Sequence, residues 1–261
     1  MISIAMLMQL AVHAQSDSSG SKLQFKLGVY YNSGLNYYGR TDSLRSSGVF
    51  PIAELWFTKN LYVNAAPVFV NNASQRFNYA GTLLTAGYRL NAGIIGGNFY
   101  FLKPLYERNT QLVQSALKAQ VSGLLTVKSG IFNINGGADI KFSDNMDYGL
   151  TAGLDRIIRV SLPGNIILVV NPSAYVYAGT QQFTNTYYKK NNFLFLPGVE
   201  QEVTETVKKF NILSYEFSMP IVLGIGKFQV IAIPAYVLPQ NLIAEHGENM
   251  FYATIGAKYN F

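Results

Sequence analysis

Cysteine is absent from the 261 residues, and charge is scarce: Asp, Glu, Lys and Arg together make up 13%. The first absence excludes disulfide frameworks, thiol nucleophiles, thiolate metal sites and a lipid anchor on an N-terminal Cys. The second is the larger anomaly, because soluble domains carry roughly 25% charged residues. Long basic runs are missing too. The formal charge is +6, yet the densest basic clusters are the pairs Lys189-Lys190 and Lys208-Lys209. Nucleic acid needs basic residues concentrated on one face and is not an expected partner; a diffuse positive balance suits anionic lipid headgroups better. Histidine is limited to His13 and His246. With so few soft ligands no transition-metal site and no cofactor is expected.

An unbroken apolar helix is also lacking in the body of the chain. The uncharged stretch Val160–Tyr188 is interrupted by Pro163-Gly164-Asn165 and by Asn171-Pro172, which excludes a helical membrane span there. The start differs. Ile2 to Val12 is an apolar run, followed by His13-Ala14 and the polar stretch Gln15–Ser21. A short apolar core ending at small residues reads as a secretory signal peptide with cleavage after Ala14. No Lys or Arg precedes the core, so Met1 reads as an internal start that truncates a longer signal. The expected organisation is a signal over 1–14 and one domain over 15–261.

What the chain has in abundance is period-two alternation. Leu23, Phe25, Leu27, Val29 and Tyr31 alternate with Gln24, Lys26, Gly28, Tyr30 and Asn32. Similar patterns start at Leu117, Phe132, Leu213 and Phe251. Alternation over ten or so residues is the strand signature. It predicts about twelve strands, near 22–34, 47–58, 61–71, 78–90, 93–102, 117–128, 131–142, 146–160, 165–180, 208–223, 227–239 and 249–261. Their connections alternate between tight turns, such as Lys59-Asn60 and Ser129-Gly130, and longer loops over 35–46, 72–77, 103–116, 181–207 and 240–248. Pro51, Pro67, Pro172, Pro220 and Pro234 fall inside these strands and predict bulges or interruptions.

An up-and-down meander with tight turns at one end and longer loops at the other resembles the transmembrane β-barrels of Gram-negative outer membranes. The apolar parity carries almost no charge except Arg156, whereas a soluble barrel would face water with a surface of roughly 25–35% charged residues. The closing stretch carries the most specific likeness: Ile255, Ala257, Tyr259 and Phe261 match the alternating, aromatic-ended final strand that barrel-assembly machinery reads. The Tyr- and Asn-rich style of Tyr215–Pro220 and Ile233–Val237 resembles uncharacterised barrels of Bacteroidetes. The resemblance implies an integral outer-membrane protein, exported through its signal peptide and surrounded by lipid and lipopolysaccharide.

With the apolar parity turned to lipid, the opposite parity lines a lumen. The expected lining is Lys26, Tyr30, Glu54, Trp56, Tyr79, Arg89, Tyr100, Lys118, Lys128, Asp139, Lys141, Asp155, Arg159, Tyr175, Tyr177 and Glu216. These either border a narrow path for small polar or amphipathic solutes or pair with one another and fill the barrel. The expected function is accordingly a passive channel or transport-type pore. The alternative is a non-enzymatic barrel that acts through its external loops, chiefly 181–207, on surface polysaccharide, lipopolysaccharide or a protein. Catalysis is not expected: His246 beside Glu245 is a lone histidine, and a lipid-modifying enzyme would need a Ser and an orienting group to meet it. Asp144, Asn145 and Asp147 lack the Gly and distal Glu of a calcium loop and read as a polar turn.

Overall fold

A computed structural model describes residues 23–38, 40–41, 44–74, 76–107, 117–144, 146–190, 200–240 and 248–261. The expected signal over 1–14 and His246 lie outside them. Twelve antiparallel strands close into a transmembrane barrel, and no helix occurs among the described residues. They are β1 (Gln24–Asn32), β2 (Ser47–Trp56), β3 (Leu61–Asn71), β4 (Asn78–Ala92), β5 (Ile95–Tyr106), β6 (Ala119–Lys128) and β7 (Asn133–Phe142). β8 comprises Met146–Asp155 and Ile158–Leu162, β9 Ile166–Val170 and Ser173–Lys190, and β10 Glu200–Ser218 and Ile221–Ile225. β11 (Phe228–Pro239) and β12 (Met250–Asn260) complete the meander.

Each strand pairs with its sequence neighbours, and β12 returns to β1 in the register Lys26↔Asn260 through Asn32↔Thr254. The seam is sealed by an aromatic corner in which the Phe261 amide donates to the Phe25 carbonyl at 3.0 Å. The Phe25 and Phe261 rings lie 5.5 Å apart. Closure of β12 on β1 leaves neither of these two strands with an unpaired edge, the condition for placing a sheet in hydrocarbon, where an unpaired backbone group has no water to turn to. The lower part of β8, Ile158–Leu162, pairs with β9 alone.

Alternation decides the two faces. Leu27, Val29, Phe99, Phe101, Leu125, Leu150, Phe217 and Ile255 are exposed on the outside, while their sequence neighbours point inward. Both termini of the barrel lie with the tight turns, at Phe57–Asn60, Gly93-Ile94, Ser129–Phe132, Pro163–Asn165 and Gly226-Lys227.

The prolines open the ladder without bulging it. Pro172, Pro220 and Pro234 sit side by side on β9, β10 and β11, each lacking an N–H. There the chain passes through the breaks in β8, β9 and β10, and carbonyl acceptance replaces regular pairing: Arg156 donates to the Pro172 carbonyl (3.1 Å), Asn171 to Pro220 (2.8 Å) and Met219 to Pro234 (3.1 Å). Pro51 and Pro67 stay inside continuous strands, at a gap in the β2–β3 ladder between Val49↔Phe69 and Ala53↔Ala65. The true bulges lie elsewhere, at Ala80 on β4 opposite Val68 and Phe69, and at Leu213 on β10 opposite Tyr177 and Ala178.

Two loop expectations are corrected. The segment expected as a loop over 181–207 is mostly strand: β9 and β10 stay in register as far as Lys190↔Glu200. Its Thr-, Tyr- and Val-rich composition favours a pleated ribbon over an irregular loop. Strands of 18 and 19 residues in these upper segments far exceed the ~9–11 that cross a bilayer, so the ribbon projects beyond the barrel. The expected loop over 103–116 also begins late, since β5 continues to Tyr106.

Candidate functional site: the lumen

Inward side chains form three zones. At the tight-turn end, Glu54 on β2 is the centre of a charged cluster. The Lys258 ammonium of β12 donates to Glu54 Oε1 at 2.6 Å, and Trp56 Nε1 donates to Glu54 Oε2 at 3.0 Å. Lys26 of β1 and Arg89 of β4 lie against the Trp56 ring at 4.8 and 4.7 Å from its centroid. Tyr62 of β3 stacks on the same indole at 4.6 Å, and its hydroxyl donates to Asn98 Oδ1 of β5 at 3.0 Å. Tyr62 can lie flat because β4 presents Gly87 beneath it, where a Cβ would overlap the phenol ring.

Farther round the same mouth, Asp155 of β8 accepts from Asn133 Nδ2 (2.9 Å) and Asn135 Nδ2 (2.5 Å) of β7. Thr126 of β6 extends the network by donating to Asn135 Oδ1 at 2.6 Å.

The middle zone is apolar, which the lumen expectation did not include. Tyr30 lies over Gly256 of β12, where a Cβ would strike its ring. It joins Phe50, Ile52 and Val68 on one side to Ile231, Val222 and Val169 on the other in one buried cluster. The signal was present in β2 and β3, where Phe50, Ile52, Ala66, Val68 and Val70 alternate with Val49, Pro51, Ala53, Ala65 and Phe69. A strand apolar on both parities is buried on both faces.

At the long-loop end, the connection between β1 and β2 folds across the barrel. Asn32 anchors its start by donating to Thr254 Oγ1 (2.9 Å) and accepting from the Gly34 amide (2.8 Å). Asn36-Tyr37 then pairs with Arg40-Thr41 in a short ribbon whose turn holds Tyr38 at φ 55. Tyr38 is buried and packs on Tyr177 of β9 at 5.5 Å. The Lys141 ammonium of β7 donates to the Tyr38 hydroxyl at 3.2 Å and is paired with Asp139. β7 stands six strands from β1 in a ring of twelve, so this loop crosses the lumen to the opposite wall. Sequence patterning gave no hint of this contact, because loop residues carry no periodicity to show which way they turn.

Among the expected lining residues, Lys26, Tyr30, Glu54, Trp56, Arg89, Tyr100, Lys128, Asp139, Lys141, Asp155, Tyr175, Tyr177 and Glu216 have inward positions. Three do not line the bore. Tyr79 is exposed on the outer face against Phe69, at 5.9 Å; the extra residue at the bulge opposite Val68 and Phe69 reverses the parity of β4 there. Lys118 stands at the rim, paired with Asp144 at 2.8 Å and well exposed. Its hydrogen bond holds the Asp144 carboxyl below the usual carboxylate range. Arg159 shares the inward parity of Val169 but sits exposed on the lower part of β8, which has no strand beyond it in the sheet order.

A closed twelve-stranded ladder, an apolar exterior and a polar, ionisable interior define a transmembrane β-barrel of the outer-membrane type. No protein-family model matches the sequence, nor does any curated protein. Among solved structures, the chain is similar in fold to the KdgM porin, with 8% identity over 91% of this chain and 99% of that one and a TM-score of 0.50. It is also similar to an outer membrane channel from Pseudomonas putida F1, with 12% identity over 95% and 100% and a TM-score of 0.51.

Proposed function

We propose that this chain is an integral outer-membrane protein that lets small solutes cross passively through its lumen. The observation that supports the reading is the joint arrangement of faces and loop. Apolar side chains cover the outside, and ionisable and aromatic ones occupy both ends of the bore. One loop, carrying Tyr38, is drawn inward to Lys141 and Tyr177 instead of lying outside. Inward-facing charge sets which solutes enter, and the loop sets their size. The porin and channel with similar folds add support by analogy of fold alone. Export through the amino-terminal signal and recognition of Ile255, Ala257, Tyr259 and Phe261 by barrel-assembly machinery belong to the same proposal, as does contact with lipid and lipopolysaccharide. So does kinship with Tyr- and Asn-rich Bacteroidetes barrels.

The test is current through planar bilayers containing the purified protein. Discrete conductance steps support the reading, and a silent, correctly folded protein overturns it. Lipids incubated with the protein remain chemically unchanged, since the reading includes no catalytic step.

A second reading has its own observation, the β9–β10 ribbon that continues to Lys190↔Glu200. A projecting two-stranded ribbon offers a place for a surface polysaccharide or a protein to bind. Trimming it to the barrel rim removes such binding and leaves conductance in place.

A further inference from the structure

We propose that the inner wall formed by β9 and β10 carries a binding site for a primary ammonium group, centred on Glu216 toward the long-loop end of the lumen. This deepens the channel reading, on which it rests for access, by naming a class of solute. The inference begins from two buried oxygens on one face of β10. Glu216 is 5% exposed, and its Oε1 has no hydrogen-bond partner. Ser214, two residues earlier on the same face, is 1% exposed, and its Oγ is likewise unpartnered. Buried polar oxygens are nearly always bonded, since the loss of their water is otherwise not repaid. Among the described residues no lysine or arginine is paired with Glu216. The hydrogen bond that its carboxylate accepts comes from a neutral phenol, Tyr252 of β12. An ionisable side chain left in this way inside a membrane barrel points to a function.

The neighbouring rings say which ligand fits. β9 sets Tyr175 directly opposite Glu216 and Tyr177 directly opposite Ser214, and side chains so opposed have Cβ atoms about 4.5–5.5 Å apart. The two rings lie 6.2 Å apart with planes 20° from parallel, and Tyr38 of the inturned loop brings a third ring to 5.5 Å from Tyr177. Leu213, the extra residue at the β10 bulge, is buried and packs with these rings. Aromatic faces attract cations, so the rings and the carboxylate favour the same sign of charge.

An alkylammonium group meets every part of this set. Its N–H donors suit Glu216 Oε1 and Ser214 Oγ, its charge answers the carboxylate, and its alkyl stem suits the tyrosines and Leu213. A calcium ion fits poorly, because it takes about six to eight oxygens and this wall offers one carboxylate and one hydroxyl. A neutral alcohol leaves the charge unmet.

The test is ligand-observed saturation-transfer NMR on the full-length protein folded in deuterated detergent, at constant ionic strength in sodium chloride. Ethylammonium chloride is the probe, and its methyl signal should saturate. Tetramethylammonium, which has charge but no N–H, should bind more weakly, and ethanol, which has no charge, should not saturate. Glu216→Gln should raise the ethylammonium midpoint about tenfold or more, as loss of a charge-assisted hydrogen bond does, and Ser214→Ala about threefold. Asp144→Asn, at the exposed rim, should match the wild type. Gel mobility before and after heating shows whether each variant is folded, and Ser214→Ala, which removes a single oxygen, decides the matter if Glu216→Gln does not fold. A midpoint unmoved in the folded variants overturns the site, as does tetramethylammonium or ethanol binding as tightly as ethylammonium. Planar-bilayer currents separate this site from the channel. Current through a protein on which ethylammonium never saturates removes the site and keeps the channel. Saturable binding to a folded protein that carries no current removes the channel and keeps the site.

Discussion

Replacing Glu54 by Gln removes a charge but almost no volume, and the structure indicates what that should cost. Both partners of the Glu54–Lys258 pair are nearly inaccessible, with 8% and 3% of their side chains exposed. Solvent therefore screens the pair little, unlike a surface bridge, whose median value is only about 0–1 kcal/mol. Loss of one member of a buried pair costs about 3–5 kcal/mol, mostly because the survivor is left as an uncompensated charge. Here the survivor has company, since Lys26 and Arg89 share the same ring. Glu54→Gln should accordingly destabilise the folded barrel by about 3 kcal/mol or more. The double change Glu54→Leu with Lys258→Leu deletes both charges and should recover about 2 kcal/mol of that loss. Urea unfolding in lipid vesicles measures both, followed by gel mobility because Trp56 emission itself senses the substitution. A Glu54→Gln protein within 0.5 kcal/mol of wild type, a difference typical of innocuous surface substitutions, would refute the reasoning. So would a double variant no more stable than the single one.

Three other expectations follow from the packing. Gly256→Val places a side chain where the Tyr30 ring lies and should cost about 1–3 kcal/mol as overpacking, with partial rescue by Tyr30→Ala in the same urea assay. Tyr38→Ala should raise single-channel conductance by releasing the loop from Tyr177, and should cost about 3 kcal/mol or more of stability, because a buried aromatic side chain is truncated and its ring contact and Lys141 hydrogen bond go with it. An unchanged conductance would mean the loop does not narrow the path. Phe101→Arg, on the lipid face of β5, should cost about 2–4 kcal/mol near the bilayer midplane. The inward neighbour Tyr100→Arg should cost less, and the reverse order would show that the faces are assigned backwards.

The barrel itself was legible because lipid and lumen impose opposite demands on adjacent residues. That contrast wrote a period of two into Leu23–Asn32 and Phe251–Phe261, the alternating segments gave the strand count, and the rhythm of tight turns gave the meander. Three things were hidden for physical reasons. Tyr79 lost its expected place to a bulge, which shifts parity without changing composition. The β9–β10 ribbon runs past the length that crosses a bilayer, so no demand for an apolar face writes a period of two there and its charged and polar residues read as loop. The meeting of Glu54, Lys258, Lys26, Arg89 and Trp56 depends on the register of five strands, four of them consecutive and the fifth closing the ring. Parity placed Lys26, Glu54, Trp56 and Arg89 inward, Lys258 was not among the expected lining residues, and only the closed ladder brought them together.

The central claim is that this barrel holds a path from mouth to mouth, narrowed by Tyr38. Its most direct test compares single-channel currents of the wild type with those of a variant whose residues 36–41 are replaced by a short Gly-Ser link. The account predicts discrete steps for the wild type and larger ones for the variant. Folded protein that passes no current in either form would contradict it.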